Sequence, residues 1–378
     1  MGTSPFKYFA GPLIALGTLV ILLGIGELVA RLILPPTQTV EIQNVAKLNF
    51  AAKEPEKVEG SGHIDSVFEW GHQGTRLRPN ISAVIHNHLL SHEDIKIDVN
   101  SLGLRYEELP PKEKDEFRVL VLGDSITIGD YVQYAETYPA ILEQLAQKDS
   151  SRRIRFINAG LPGASLSGEI YRYLEVRDAV KPDLVLLGMY LNDSIDSKIL
   201  ITQGLPSWVR KSALLSWLFK RVDVLRTKFW KPQSLPAEIE ESWKEDFRNG
   251  RDLRSGNMFG SQEAMDFEVY NAYSDFGLAW NPRSWELLEN QLLALRQAVD
   301  SSGARLAVFL FPVHFQVKSS VEDYRPQRSF AAMCSHVGTT CFDLFPGLRA
   351  EWEKTHANFF YDHCHYRPSG NLIVADLV

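Results

Sequence analysis

Four short runs of large aliphatic residues, each followed by a turn and then a helical pattern, constrain this chain more than any other feature. They are Arg118-Val-Leu-Val-Leu122, Ile154-Arg-Phe-Ile157, Asp183-Leu-Val-Leu-Leu187 and Ala304 to Phe311. Runs that are apolar on both faces suit strands buried on both sides, which is the condition of a parallel sheet covered by helices. Helical patterns follow at residues 138–145, 167–180 and 283–300, and further on at 328–336, before a short strand at 340–343 and a last helix from Ser369. Strands and helices alternating at these lengths predict an α/β fold with a central parallel sheet.

Two segments depart from that rhythm. Phe9 to Gly26 is a run of 18 residues without a charge, and apolar character resumes after Glu27 through Leu34 until Pro35-Pro36. As a helix the segment spans roughly 40 Å, enough to cross a bilayer with tilt. It is expected to be a retained membrane anchor, residues 1–36, with a cleaved signal peptide as the alternative; no small-residue cleavage site follows it. A short tail before the span favours a cytoplasmic N-terminus and an extracytoplasmic, periplasmic catalytic domain, although the flanking positive charges are nearly balanced. The second departure is residues 198–281, too long for an ordinary loop and expected to lie over or beside the ligand crevice. Between these, 37–61 reads as a linker, 62–110 as a small β-rich lead-in, and 111–378 as the main domain.

Composition narrows the partners. With 45% hydrophobic and 23% charged residues and a net charge of −7, the chain can build a large core and carries no basic stripe, so nucleic acid is not an expected partner. Three cysteines exclude a disulfide scaffold. Cys334 and Cys341, seven apart, are either one disulfide or two thiols, and Cys364 is expected to be free.

Ligands of open parallel sheets bind at the carboxyl ends of the strands. Three groups fall there: Gly123-Asp124-Ser125, Asn158-Ala159-Gly160 and Asn192-Asp193. A serine hydroxyl is a weak nucleophile that needs a base. Near the C-terminus Asp362-His363-Cys364-His365 supplies an Asp three residues before a His, which can orient the imidazole toward a serine. A metal site is not expected, because four adjacent ligands on one loop do not readily converge. His314 and His363 are assigned no role, and Asp124 a structural one in its turn.

Phe117 to Ile126 with Glu136-Thr-Tyr-Pro139, Asn158-Ala-Gly160 with Pro162-Gly163, Lys181 to Val185 leading to Asn192-Asp193, and Asp362-x-x-His365 together resemble the four blocks of the SGNH (GDSL-type) hydrolase family. The third block departs from the family in having Tyr190, where Gly usually stands two before the Asn. The resemblance covers roughly residues 95–200 and 283–378. It implies a flavodoxin-like three-layer α/β/α sandwich, with Ser125, Asp362 and His365 as catalytic triad. The oxyanion hole it implies is made by the Ser125 and Gly160 N–H groups and the Asn192 amide. It implies no cofactor. The expected activity is hydrolysis of an ester on a cell-envelope carbohydrate or lipid. O-acyl transfer to a polysaccharide is the alternative chemistry, and a non-catalytic envelope scaffold on the same fold is the alternative class.

Overall fold

The computed structural model describes residues 17–18, 22–32, 53–62, 67–71, 74–195, 212, 214–215, 218, 261–272 and 275–378. The chain divides into two units, one of residues 1–41 and 197–230, the other of 42–196 and 231–378.

In the larger unit a lead-in of short strands comes first: β1 (Glu56–Ser61), β2 (Phe68–Gly71), β3 (Gly74–Leu77), β4 (Ile81–His86) and β5 (Ile95–Val99). β4 lies between β1 and β5, parallel to the former and antiparallel to the latter, while β2 and β3 form a hairpin. In β4 and β5 every second residue is buried (Ile81, Ala83, Ile85, Ile95, Ile97, Val99), the alternation of a sheet with one covered face. The strand β1 lies inside the stretch expected to be linker. Its apolar content is a single Val58, so its register comes from pairing with β4 rather than from a hydrophobic face.

The main sheet begins with β6 (Glu116–Gly123), followed by α1 (Ser125–Ile128), α2 (Tyr138–Lys148), β7 (Arg153–Asn158), α3 (Leu166–Val180) and β8 (Leu184–Tyr190). Next come α4 (Gln262–Asn271), α5 (Pro282–Ser301), β9 (Arg305–Phe311), α6 (His314–Lys318), α7 (Arg325–Val337), β10 (Thr340–Asp343), α8 (Phe345–Thr355) and α9 (Pro368–Leu377). The sheet order is β10-β9-β8-β6-β7, all parallel. Val119 to Leu122 in the middle of β6 are at most 1% exposed, as a strand flanked and covered on both faces requires. From β6 the chain steps outward to β7 and then back across to β8, β9 and β10. Right-handed crossovers in opposite directions put helices on opposite faces. Accordingly α2 packs against α9 and α9 against α8, while α5 packs against α3 and α7. The reversal leaves a crevice at the carboxyl end of β6, where such sheets bind ligands.

Cys334 and Cys341 form a disulfide between α7 and β10, resolving the two alternatives, and Cys364 is a buried free thiol. In the smaller unit, residues 22–32 are helical and expose Leu22, Leu23, Ile25, Leu28, Val29 and Leu32. Its Glu27 carboxylate accepts from Arg31 Nε (2.8 Å), Ser212 Oγ (2.6 Å) and the Leu214 N–H (3.0 Å). Among the described residues no helix is long and apolar enough to cross a membrane, and most of the expected anchor lies outside them.

Candidate active site

The nucleophile position is built by the turn that ends β6. Gly123 has φ of 155°, and a Cβ there would meet Thr127 Oγ1 at 1.9 Å, so only glycine permits the turn. Asp124 caps α1, its Oδ1 accepting the Ile126 N–H at 2.9 Å, and burial pushes its carboxyl up to about 6. Ser125 thus opens α1 with a backbone N–H that has no acceptor within the helix. Thr127 and Tyr138 share a hydroxyl–hydroxyl bond of 2.7 Å beneath it.

His365 Nε2 lies 2.9 Å from Ser125 Oγ, and His365 Nδ1 lies 2.7 Å from Asp362 Oδ2. The other carboxylate oxygen of Asp362 accepts the N–H groups of Cys364 (2.9 Å) and His365 (2.8 Å), which fixes the carboxylate plane. Burial alone would raise the Asp362 pKa, but the bond and charge of His365 and these N–H groups hold it far below the carboxylate range. For His365, burial pulls the pKa down, yet Asp362 outweighs it and the net shift is upward from 6.5. The Tyr131 ring meets the imidazole edge-on at 4.8 Å and keeps it from turning. The three residues expected to form a triad are therefore within hydrogen-bond reach in the order Ser, His, Asp.

The expected oxyanion donors are placed differently from one another. Asn158, at the end of β7, donates Nδ2 to Thr127 O at 2.8 Å and accepts the Gly160 N–H at 3.0 Å. This ties the second block to α1, and a Cβ on Gly160 would strike Ile128 N at 2.3 Å. Gly160 is thus required for a close backbone approach, and its N–H serves an oxyanion only by sharing or leaving Asn158. Asn192 sits in a 3-10 turn after β8, with Oδ1 buried and without a partner among the described residues. The same turn is held by Asp193, whose Oδ2 accepts the Tyr190 N–H at 3.0 Å.

Two contributors have no signature in the four blocks. Arg105, 1% exposed in the loop after β5, donates to Ile128 O (2.8 Å), Gly129 O (2.5 Å) and Val132 O (2.8 Å), closing the carboxyl end of α1 from the lead-in. A fully buried arginine leaves no hydropathy pattern in a sequence. The second is the segment expected to lie by the crevice. Its described end, 275–281, does reach the site: Asp275 Oδ2 is 2.8 Å from His363 Nε2, and the Phe276 ring is 5.6 Å from the His363 ring. Residues 198–260 fall almost wholly outside the described residues.

The final loop also corrects the reasoning about metals. Asp362, Cys364 and His365 do bring one ligand atom each within 4.8 Å of one another, so adjacent positions can converge. The donor set still fits a metal poorly. His365 Nδ1 is committed to Asp362, and burial pushes the Cys364 thiol well up, toward its neutral form. His314 packs its ring near Phe360 (6.0 Å), and its N–H donates to His363 O; it takes no part in the relay.

No family model matches the chain, and no curated protein matches it. Among solved structures it is similar to an alpha/beta hydrolase enzyme from the metagenome of Lake Arreo, Spain, at 13% identity and a TM-score of 0.38, covering 69% of this chain and 92% of that one. It is also similar to a member of the lipolytic protein G-D-S-L family from Veillonella parvula (14%, 0.35, 69% and 94%). A catalytic mutant of an acetylxylan esterase from Geobacillus stearothermophilus gives 14% identity and a TM-score of 0.40, over 69% and 91% of the two chains. Identity and superposition are both low, and the chemistry rests on this chain's own residues.

Proposed function

We propose that the chain is a serine ester hydrolase acting on an acyl or acetyl ester of a cell-envelope carbohydrate or lipid. The observation that carries this is the relay from Ser125 Oγ to His365 (2.9 Å) and on to Asp362 (2.7 Å) at the carboxyl end of β6. His365 takes the Ser125 proton as Oγ attacks the acyl carbon, and Asp362 stabilises the imidazolium that forms. The oxyanion is met by the Ser125 N–H and the Asn192 amide, with Gly160 N–H as third donor once it turns from Asn158. His365 returns the proton to the departing alkoxide. It then takes a proton from the water that attacks the acyl-enzyme and passes it to Ser125 Oγ as the acid leaves. Each half-reaction transfers the acyl group once and returns His365 to its neutral form, and no cofactor takes part.

The test is covalent labelling. A fluorophosphonate probe is expected to modify the wild-type chain at Ser125 and nowhere else, in step with loss of phenyl acetate hydrolysis. A folded wild-type chain that takes no probe and cleaves no ester is a scaffold on this fold.

The cell-envelope assignment rests on the uncharged run from Phe9 to Gly26 and on the apolar side chains exposed along residues 22–32. With that segment as a retained anchor, the protein fractionates with membranes and resists carbonate extraction. Recovery as a soluble form trimmed at its N-terminus would mean a signal peptide instead.

A further inference from the structure

The helix at residues 22–32 is built inside out. A helix packed on a water-soluble domain turns its apolar stripe to the core and its polar side to solvent. Here Leu22, Leu23, Ile25, Leu28, Val29 and Leu32 are exposed, and the least exposed positions are Gly26, Glu27 and Ala30. The covered side is met by a segment far away in the sequence. A Cβ on Gly26 would lie 3.0 Å from Leu214 Cδ2, so the small residue is what admits Leu214 to the helix surface. Glu27 accepts from Ser212 Oγ at 2.6 Å and from the Leu214 N–H at 3.0 Å, and Ser212 Oγ accepts the Leu215 N–H at 3.0 Å.

Both features suit hydrocarbon better than water. In water the Glu27 bonds exchange with solvent and hold the segment only weakly. In a bilayer the carboxylate has no solvent donor to replace them, and an acid in an apolar span persists there only with partners from its own protein. Ser212 and Leu214 are those partners, so wherever Glu27 sits in the membrane the start of this segment sits with it. Its surface agrees, since Leu218 is 40% exposed. In the sequence the uncharged run Ala213 to Phe219 has Arg210 and Lys211 before it and Lys220 and Arg221 after it, charges that suit phospholipid headgroups. Even fully extended, those 7 residues reach about 25 Å, short of the roughly 30 Å hydrocarbon layer. They can enter one leaflet but not cross.

We propose that the segment at 212–218 is a second point of membrane entry, which dips into the acyl region of one leaflet beside the anchor and is tethered there by Glu27. The inference rests on the anchor reading of residues 1–36 and adds a second lipid-facing surface from the insertion.

The test reads depth on the full chain reconstituted in vesicles of phosphatidylcholine and phosphatidylglycerol. A nitrobenzoxadiazole label is placed on Leu28→Cys or on Leu218→Cys, both exposed positions, with the wild-type chain as blank because Cys364 is buried. Lipids with a spin label on the acyl chain quench only a fluorophore that lies among them. Both labels are expected to lose most of their emission. In Glu27→Ala the label at position 218 is expected to recover its emission while the one at position 28 does not. Quenching at 28 without quenching at 218 overturns the second entry and leaves the anchor standing. A label at 28 that is not quenched overturns the anchor, and the inference with it. A label at 218 that stays quenched in Glu27→Ala overturns Glu27 as the tether. Fluorophosphonate labelling of Ser125 confirms that each variant keeps its catalytic unit folded.

Discussion

Ser125→Ala is expected to abolish ester turnover, with a loss on the order of 10⁵–10⁶ in kcat, and His365→Ala to lose nearly as much. The first removes the oxygen that lies 2.9 Å from His365 Nε2; the second removes the ring nitrogen that takes the proton from that oxygen. The double variant is expected to be scarcely worse than either, because nucleophile and base act as one unit and their losses do not add. Steady-state hydrolysis of phenyl acetate by the purified full chain, with circular dichroism to confirm folding, measures all three. Ser125→Ala deletes one partly buried oxygen and leaves the α1 cap on Asp124 untouched, so a folding defect is not expected to confuse the result. If His365→Ala kept its rate while loss of His363 abolished turnover, the base would be the other ring, and the relay drawn at 2.9 and 2.7 Å would be wrong.

The parts of the site on the β6 turn and in the final loop were legible in the sequence because their chemistry is local. Gly123 must be glycine for the turn, Asp124 must accept from Ile126, and Asp362 must sit three residues before His365 for one carboxylate to hold both its backbone and its imidazole. The strands of the main sheet were legible for a similar reason, since Val119 to Leu122 leave no face for water. The helix at 345–355 was not anticipated, and neither was α6; α6 has only 5 residues, nearly all buried, and the other follows β10 almost at once with a mixed surface. Long-range arrangements left still less trace. Nothing adjacent to Arg105 announces that it will close α1 from the lead-in, and nothing near Asp275 announces that it will meet His363. The Gly160 N–H illustrates a different limit. Its position follows from the second block, but its bond to the Asn158 side chain depends on a rotamer, which a motif does not record.

Asp362→Asn is expected to cost on the order of 10⁴ in turnover and to move the pH dependence of what remains. Asparagine keeps an oxygen for the Cys364 and His365 N–H groups, so the loop holds its shape. Toward His365 Nδ1 it then presents an amide, which favours the tautomer with the proton on Nε2 and leaves Ser125 without an acceptor. In the wild-type chain burial lowers the His365 pKa, but Asp362 overrides it and the net value is above 6.5. Since the base works in its neutral form, kcat/KM must rise with pH through that elevated value and be lost as pH falls below it. In Asp362→Asn the carboxylate no longer favours the imidazolium while burial still opposes it, so the ascending limb of the residual activity moves to lower pH. Asp124, at about 6, titrates on the same side, and an Asp124→Asn profile identifies its share. A limb that stays in place in Asp362→Asn and moves in Asp124→Asn would assign the profile to Asp124. Asp362 would then be left with the orientation of the ring as its whole contribution.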